Sequence, residues 1–242
     1  QHPLMFEVPA DGGPVVVVAS VLREVSKTVE YVVYWASRTP AVDSKQRVYY
    51  AKTRDFYTFT EPEVFIDYDE SSIDTTIIKG DDGYYYRYTK NEGGATNDLG
   101  ALTKTVFVER SQTLLGEWEH IPSDSLNANQ WVEGPTIFKL NEDDATDTQK
   151  YCLLVDNYGG GGYYPLTTDD LSDGVFSRPD TAYKMPSRAR HGTPIRVTAE
   201  EYQAIMAAYS APEEVNAATE AGTAPELPDT VTLLVTPEQS MI

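Results

Sequence analysis

Short apolar runs alternate with turn chemistry along this chain, and the runs recur. Tyr31-Val32-Val33-Tyr34-Trp35, Tyr84-Tyr85-Tyr86-Arg87-Tyr88 and Tyr151-Cys152-Leu153-Leu154-Val155 are tyrosine-rich stretches of strand length. Each is followed by a second strand-like run, a turn containing Thr or Ser with an acid, and an aromatic. These are Val48 to Phe56 with Phe59, Val106 to Leu115 with Trp118, and Tyr163 to Leu171 with Phe176. Gly80-Asp81-Asp82-Gly83 predicts a hairpin between the first and second strands of one unit, and Asn141 to Lys150 is its longer acidic counterpart. Gly159-Gly160-Gly161-Gly162 predicts a tight reversal between the second and third strands of the next unit. A phosphate cradle is disfavoured there, because no Lys-Ser/Thr and no helical pattern follow.

A third set of segments repeats with the same period. Ile73-Asp74-Thr75-Thr76-Ile77-Ile78, Val132-Glu133-Gly134-Pro135-Thr136-Ile137-Phe138 and Arg190-His191-Gly192-Thr193-Pro194-Ile195 place Glu133 59 residues after Asp74 and His191 58 residues after Glu133. That interval is the length of a four-stranded blade with its loops, so the fold expected is all-β, a radial β-repeat. Asp74, Glu133 and His191 are then expected at equivalent positions at the starts of innermost strands, converging on one channel mouth. One period earlier lies Gly12-Gly13-Pro14-Val15-Val16-Val17-Val18, which offers no ionisable residue at the inner-strand place. About three and a half blades fit, fewer than the four that a closed propeller needs.

Thr198 to Tyr209 is the one helical pattern, with Thr198 as N-cap and Glu201 three residues on. Its expected role is to pack on the rim. Residues 211–228 turn to Ala, Pro, Glu, Thr and Gly, as a linker does, and Pro228 to Val235 resembles the opening strand of a further β module. The division expected is a partial propeller over 1–210, a linker over 211–228, and the start of another module or a disordered tail over 229–242.

Composition narrows the function. Of 242 residues 40% are hydrophobic, enough for a β core, and 17 are Tyr against 7 Phe and 3 Trp, which suits half-buried sheet positions and sugar-facing surfaces alike. A net charge of −19 argues against nucleic acid and anionic membranes as partners, and no apolar run approaches the roughly 18 residues of a membrane span. Cys152 is the single cysteine, expected as a buried free thiol. The opening at Gln1, without initiator Met or leader, points to a longer precursor. A secreted chain free of disulfides suits a bacterial, secreted or cell-surface enzyme.

Convergent carboxylates suggest glycoside cleavage, in which one carboxyl protonates the leaving oxygen and a second activates water, with a third able to raise the acid's pKa. Glu133, beside Trp131 and Val132 and before Gly-Pro, is the candidate acid, because an apolar setting favours its protonated form. Asp74 is its modulator. His191 could hold a water or a cation, or position the sugar. With only His2 and His120 besides it, a three-histidine site is disfavoured, and an ion there would be oxygen-coordinated, calcium being the expectation. No cofactor is required. Loops after the second strands, Ser37-Arg38-Thr39, Lys90-Asn91-Glu92 and Asp156-Asn157-Tyr158, return to the same mouth. Arg38, Glu92, Asn157, Tyr158 and Trp131 can there supply polar partners and flat faces to sugar hydroxyls and rings.

SIDTTIIKGDDGYYYRYTK, VEGPTIFKL, DNYGGGGYYPLTTDDL and RARHGT resemble glycoside hydrolase family 43, five-bladed β-propellers that act by inversion on arabinose- and xylose-containing glycans. The resemblance runs from about Tyr31 to Tyr209. It implies that Glu133 is the general acid, Asp74 the pKa modulator and orienter, and His191 the central-channel residue near any bound ion, reached through water. Arg190, or alternatively Arg188, would look into the pocket. The family's general base, an Asp opening the first blade and usually followed by Pro, has no match here. Asp11 is the only early Asp and falls in the wrong blade by period. The base is therefore expected upstream of Gln1. The expected substrate is an arabinose- or xylose-containing oligo- or polysaccharide, cleaved by an exo-α-L-arabinofuranosidase or related β-xylosidase within a multimodular polypeptide. The alternatives are a non-catalytic glycan-binding propeller lacking the base and a fructan-directed relative, in which Cys commonly follows the acid where Gly134 stands.

Overall fold

Three antiparallel sheets follow one another along the chain, each a meander of neighbouring strands. The structure, a computed structural model, describes residues 20–24, 30–39, 42–142, 144–179, 182–185, 189–209, 211–212 and 233–234. The first sheet is β1 (Ser20–Glu24), β2 (Glu30–Arg38), β3 (Gln46–Thr53) and β4 (Glu63–Ile66), hydrogen-bonded in that order. The second is β5 (Ser72–Lys79), β6 (Tyr85–Asn91), β7 (Val106–Ser111) and β8 (Glu119–Ile121), followed by a single helical turn, α1 (Asp124–Asn127). The third is β9 (Val132–Lys139), β10 (Tyr151–Asn157) and β11 (Gly162–Thr168), with Ser177 bridging Thr167 on its outer edge.

The three tyrosine-rich runs lie in β2, β6 and β10, the second strand of each sheet. The predicted hairpin 80–83 joins β5 to β6, and the four-glycine reversal joins β10 to β11. The fold is thus mostly β-sheet, as the alternating pattern predicts. The Val15 to Val18 stretch and Asp11 lie outside the described residues.

Strand period places alternate side chains of β6 on opposite faces. Tyr86 and Tyr88 join Val106, Val108 and Ile121 in one core with Ile137, Leu153, Val155 and Leu166 of the third sheet. From the other side of the second sheet, Ile77 and Leu114 join Val32, Tyr34, Val48 and Ile66 of the first. The second sheet is therefore covered on both faces. β5, the first strand of the second sheet, packs against β2 and β3 of the first sheet and against β9, the first strand of the third. Cys152 is a buried free thiol, as expected, and burial pushes its pKa up to about 12.

One buried ion pair lies within the second sheet and meets Phe65 of the first sheet and Tyr68 just beyond it. Arg87, on the face of β6 opposite Tyr86 and Tyr88, gives Nε to Glu109 Oε2 at 2.7 Å and Nη2 to Glu109 Oε1 at 2.8 Å. The Tyr68 hydroxyl donates to the same carboxylate, and the guanidinium lies over the rings of Trp118 and Phe65 at 4.4 and 5.1 Å.

These sheets and the segment Ser187–Thr193 belong to one compact unit; Tyr183–Pro186 and the residues from Pro194 onward form another. In the latter, α2 (Ala199–Tyr209) opens with the predicted capping box: Thr198 N donates to Glu201 Oε2 at 2.8 Å and Glu201 N to Thr198 Oγ1 at 3.2 Å. Ala211–Pro212 (β12) pairs antiparallel with Leu233–Leu234 (β13). Among the described residues no helix is long and apolar enough to cross a membrane.

Removing one partner of a buried pair leaves a bare charge, so Arg87→Met is expected to lower unfolding free energy by about 3–5 kcal/mol in urea titrations, and Arg87→Met/Glu109→Leu to recover much of it. Full stability in the single variant contradicts this.

Candidate active site

The repeat brings Asp74, Glu133 and His191 together, but not at equivalent positions. Across β5 and β6, Ile73 faces Lys90 and Thr76 faces Tyr88, so Asp74 and Thr75 stand opposite one residue in a bulge. Across β9 and β10, Glu133 faces Asp156 and Thr136 faces Leu154, and the bulged pair is Gly134 and Pro135. Asp74 therefore corresponds to Gly134, and Glu133 to Ile73. Backbone conformation extends the correspondence: Asp74, Gly134 and His191 have φ of 53°, 53° and 49°. Glu133 and Arg190 each stand one residue before their left-handed neighbour. This corrects the expected register by one position in the second segment, because the sequence does not reveal where a bulge falls.

The offset builds the site. With a glycine at 134, the β9 backbone comes close enough for Gly134 N to donate to Asp74 Oδ2 at 3.0 Å. On its other side, Thr136 Oγ1 donates to Gly192 O at 2.8 Å. A Cβ at 134 would lie 2.7 Å from His191 Nδ1, so glycine is required there for close approach. Asp74, Thr75, Thr76, Gly134 to Thr136 and His191 to Thr193 line a pocket of about 290 Å³, including space open to solvent. One atom each of Asp74, Glu133 and His191 lie within 4.8 Å of one another. Non-glycine residues at positive φ gather here, with Asp74, Trp131 and His191 among the five described.

Glu133 is surrounded by cations rather than by the apolar setting its flanking sequence suggests. Lys90 Nζ donates to its Oε2 at 3.2 Å, Arg190 Nη2 donates to its Oε1, and His191 Nε2 lies 3.2 Å from that same oxygen. Arg190 also donates from Nε to Asp156 Oδ2 at 2.6 Å. Burial raises the Glu133 carboxyl, but the His191 hydrogen bond and Lys90 outweigh it, so its pKa falls below the usual value. Asp74 moves the other way: burial lifts its carboxyl, and the Gly134 N–H and nearby cations offset only part. The direction expected for Glu133 is thus reversed in the free site, because residues distant in sequence supply the charges.

The other predicted residues divide. Glu92 pairs with Lys90 at 2.8 Å and with Lys104 at 3.0 Å, and the Tyr158 ring lies 4.6 Å from Lys90 Nζ. Both are tied to Glu133 through Lys90. Trp131, 57% exposed, stands two residues before Glu133, at the entry to β9. The Asn157 side chain packs against Gly159 and Gly161 instead. Arg38 ends β2, and its side chain makes no hydrogen bond or ion pair with the cluster among the described residues. Arg188 lies outside the described residues. Lys90 and Asp156 went unassigned in the sequence, although both fall in the loop triplets read as mouth-facing.

The donor set does not suit the calcium expected near His191. Calcium takes about 6–8 oxygens. Here only two carboxylates are offered, Glu133 is already paired with Lys90 and Arg190, and Asp74 Oδ2 is occupied by an N–H.

Comparison with known proteins shows the family of the chain that carries these sheets and this carboxylate cluster. Residues 25–203 match the glycosyl hydrolase 43-related family, described as "Probable glycosyl hydrolase domain", and the chain belongs to that family. An α-L-arabinofuranosidase of Bifidobacterium longum subsp. longum is 37% identical over 178 residues; the match takes in 62% of this chain but only 16% of that protein. A glycosyl hydrolase structure from Bacteroides ovatus aligns with a TM-score of 0.43 at 15% identity, over 67% of this chain and 51% of its own.

A depressed carboxyl adds stability above its unfolded pKa and loses it as pH falls, whereas a raised one does the opposite. Asp74→Asn, which keeps an acceptor for Gly134 N, is therefore expected to melt above the wild type near pH 7, the gap closing below about pH 4. Thermal melts across pH decide this; a variant that melts lower at neutral pH contradicts it. Gly134→Ala is expected to push His191 away and to empty the cluster, seen as loss of the Glu133–His191 contact in a crystal structure.

Proposed function

We propose that this chain forms part of an inverting glycoside hydrolase acting on arabinose- or xylose-containing plant polysaccharides, as an exo-α-L-arabinofuranosidase. The observation that supports this most is the pair of carboxylates of opposite pKa tendency, Asp74 and Glu133, brought within 4.8 Å of each other at adjoining strand starts. In this reading the sheets are consecutive blades of a five-bladed β-propeller, of which the chain supplies about three and a half, followed by a linker and a further module. The protein is proposed to be bacterial and secreted or displayed at the cell surface.

Glu133 is the proton donor to the leaving oxygen, and Asp74 fixes the backbone that aims it. The Arg190 side chain is half exposed, so an arriving sugar can displace it, withdraw a cation from Oε1 and exclude water; both changes raise the Glu133 pKa toward that of a working acid. Trp131 offers an apolar face to a sugar ring, and Arg190 and Tyr158 offer polar partners. The general base comes from a segment outside this sequence.

The short Asp74–Glu133 separation favours one rival. Inverting acid and base stand about 6.5–9.5 Å apart, retaining pairs about 5–5.5 Å. As a pair by themselves these two would suit retention, with Asp74 as nucleophile. Burial favours the protonated form of Asp74, which opposes that role, so it is assigned to orientation.

The full-length polypeptide is expected to release arabinose from a chromogenic arabinofuranoside with inversion at the anomeric carbon, followed by proton NMR. Glu133→Gln is expected to lower kcat about 10²–10⁴-fold. A retained anomer would favour the rival, and sugar binding without turnover would favour a lectin-like propeller.

A further inference from the structure

Lys90 is the most deeply buried cation of the site, at 2% side-chain exposure. β6 delivers it: Tyr86, Tyr88 and Lys90 fall on one face at period two, and this row of side chains runs along the core shared with the third sheet until its last member meets Glu133. A buried ammonium is tolerated only when its donors are engaged. Glu92 Oε2 at 2.8 Å, Glu133 Oε2 at 3.2 Å and the Tyr158 ring at 4.6 Å meet that need. Lys104, 3.0 Å from the other oxygen of Glu92, extends a chain of alternating charge that holds Lys90 from behind.

The two oxygens of Glu133 thus have different partners. Oε2 meets a cation that cannot leave without exposing buried charge, while Oε1 meets Arg190, 50% exposed, and His191. An oxygen that accepts from a fixed ammonium is a poor place for an added proton. We propose that Lys90 is a positioning residue that pins Oε2 of Glu133, so that the transferable proton is carried on Oε1, the oxygen Arg190 and His191 meet. In the transfer, the Oε1–H bond breaks as that proton bonds the leaving oxygen, which keeps the electron pair of the broken glycosidic bond; Glu133 is left as carboxylate between Lys90 and His191. Asp156 stands in the third sheet where Lys90 stands in the second, and it holds Arg190 on the opposite side of Glu133.

This rests on Glu133 as proton donor, and leaving-group dependence tests it in the full-length polypeptide. A dinitrophenyl arabinofuranoside needs no proton on departure, whereas an alkyl arabinofuranoside does. Lys90→Met is expected to lower kcat about 10–100-fold on the alkyl glycoside and less than about threefold on the dinitrophenyl one, with KM little changed and Lys90→Arg restoring most of the loss. Equal losses on both substrates at an unchanged melting temperature, or no loss on either, overturn the proposal. If Lys90→Met does not fold, Glu92→Gln, which loosens the anchor of Lys90, is expected to show the same selectivity at smaller size, and its absence there overturns the proposal equally. Should the unaltered protein cleave neither glycoside, the hydrolase reading fails on its own, and crystal structures decide the placement of Glu133. A carboxylate displaced in Lys90→Met and returned in Lys90→Arg supports the pin; one unmoved in both overturns it.

Discussion

The hydrogen bond from Gly134 N to Asp74 Oδ2 joins the starts of two first strands, and the pocket depends on it. A backbone donor can reach a carboxylate on the neighbouring strand only if the two chains come very close, and a glycine at left-handed φ allows that. Glu133, one residue earlier, is thereby held with one of its oxygens within 4.8 Å of Asp74 and His191. It also clears the place that the His191 ring fills. A single bulge therefore sets the second carboxylate, the imidazole and the floor between them.

Around that scaffold the electrostatics run against the character of the whole molecule. The chain has a net charge of −19, yet Lys90, Lys104, Arg190 and His191 gather about two glutamates and a buried aspartate. Alternation explains how so many charges share one small region: Lys104, Glu92, Lys90, Glu133, Arg190 and Asp156 succeed one another with opposite sign at every step. Burial of Lys90 makes its contacts stronger than a surface pair and makes their loss costlier, whereas the Arg190 end of the chain is half exposed. The carboxylate at the centre is held by groups that differ in how readily they can be withdrawn.

Much of the fold was legible because strand alternation, glycine turns and tyrosine-rich runs are local signals. β2, β6, β10, the 80–83 hairpin, the four-glycine reversal and the capping box of α2 lie where the pattern places them. That Asp74, Glu133 and His191 meet was legible from period alone. Their relative register was not, because a bulge leaves no mark in composition, and a seven-residue segment was matched to a six-residue one. Lys90 and Asp156 escaped assignment for a physical reason. A lysine ending a strand is ordinarily solvated, and only the third sheet, more than 40 residues later in sequence, supplies the glutamate that justifies burying it. One signal was available: Lys90 continues the Tyr86 and Tyr88 row, whose members face a core.

The pKa reversal follows from the same limitation and bears on mechanism. Flanking residues suggested an apolar Glu133, but a side chain's dielectric and charge surroundings come from whatever folds against it. In the free site the balance favours the carboxylate, because burial is outweighed by His191 and Lys90. In the proposed role of proton donor, Glu133 is idle until something alters its partners, and the geometry limits which partner that can be. Lys90 is enclosed by Glu92 and Tyr158 and cannot be displaced from solvent, whereas Arg190 reaches Glu133 from the open side and has Asp156 to retain it once it lets go. A ligand that occupies the Arg190 position would therefore change the proton affinity of one oxygen while the other stays fixed, so that under the proposed role binding and activation of the acid become the same event.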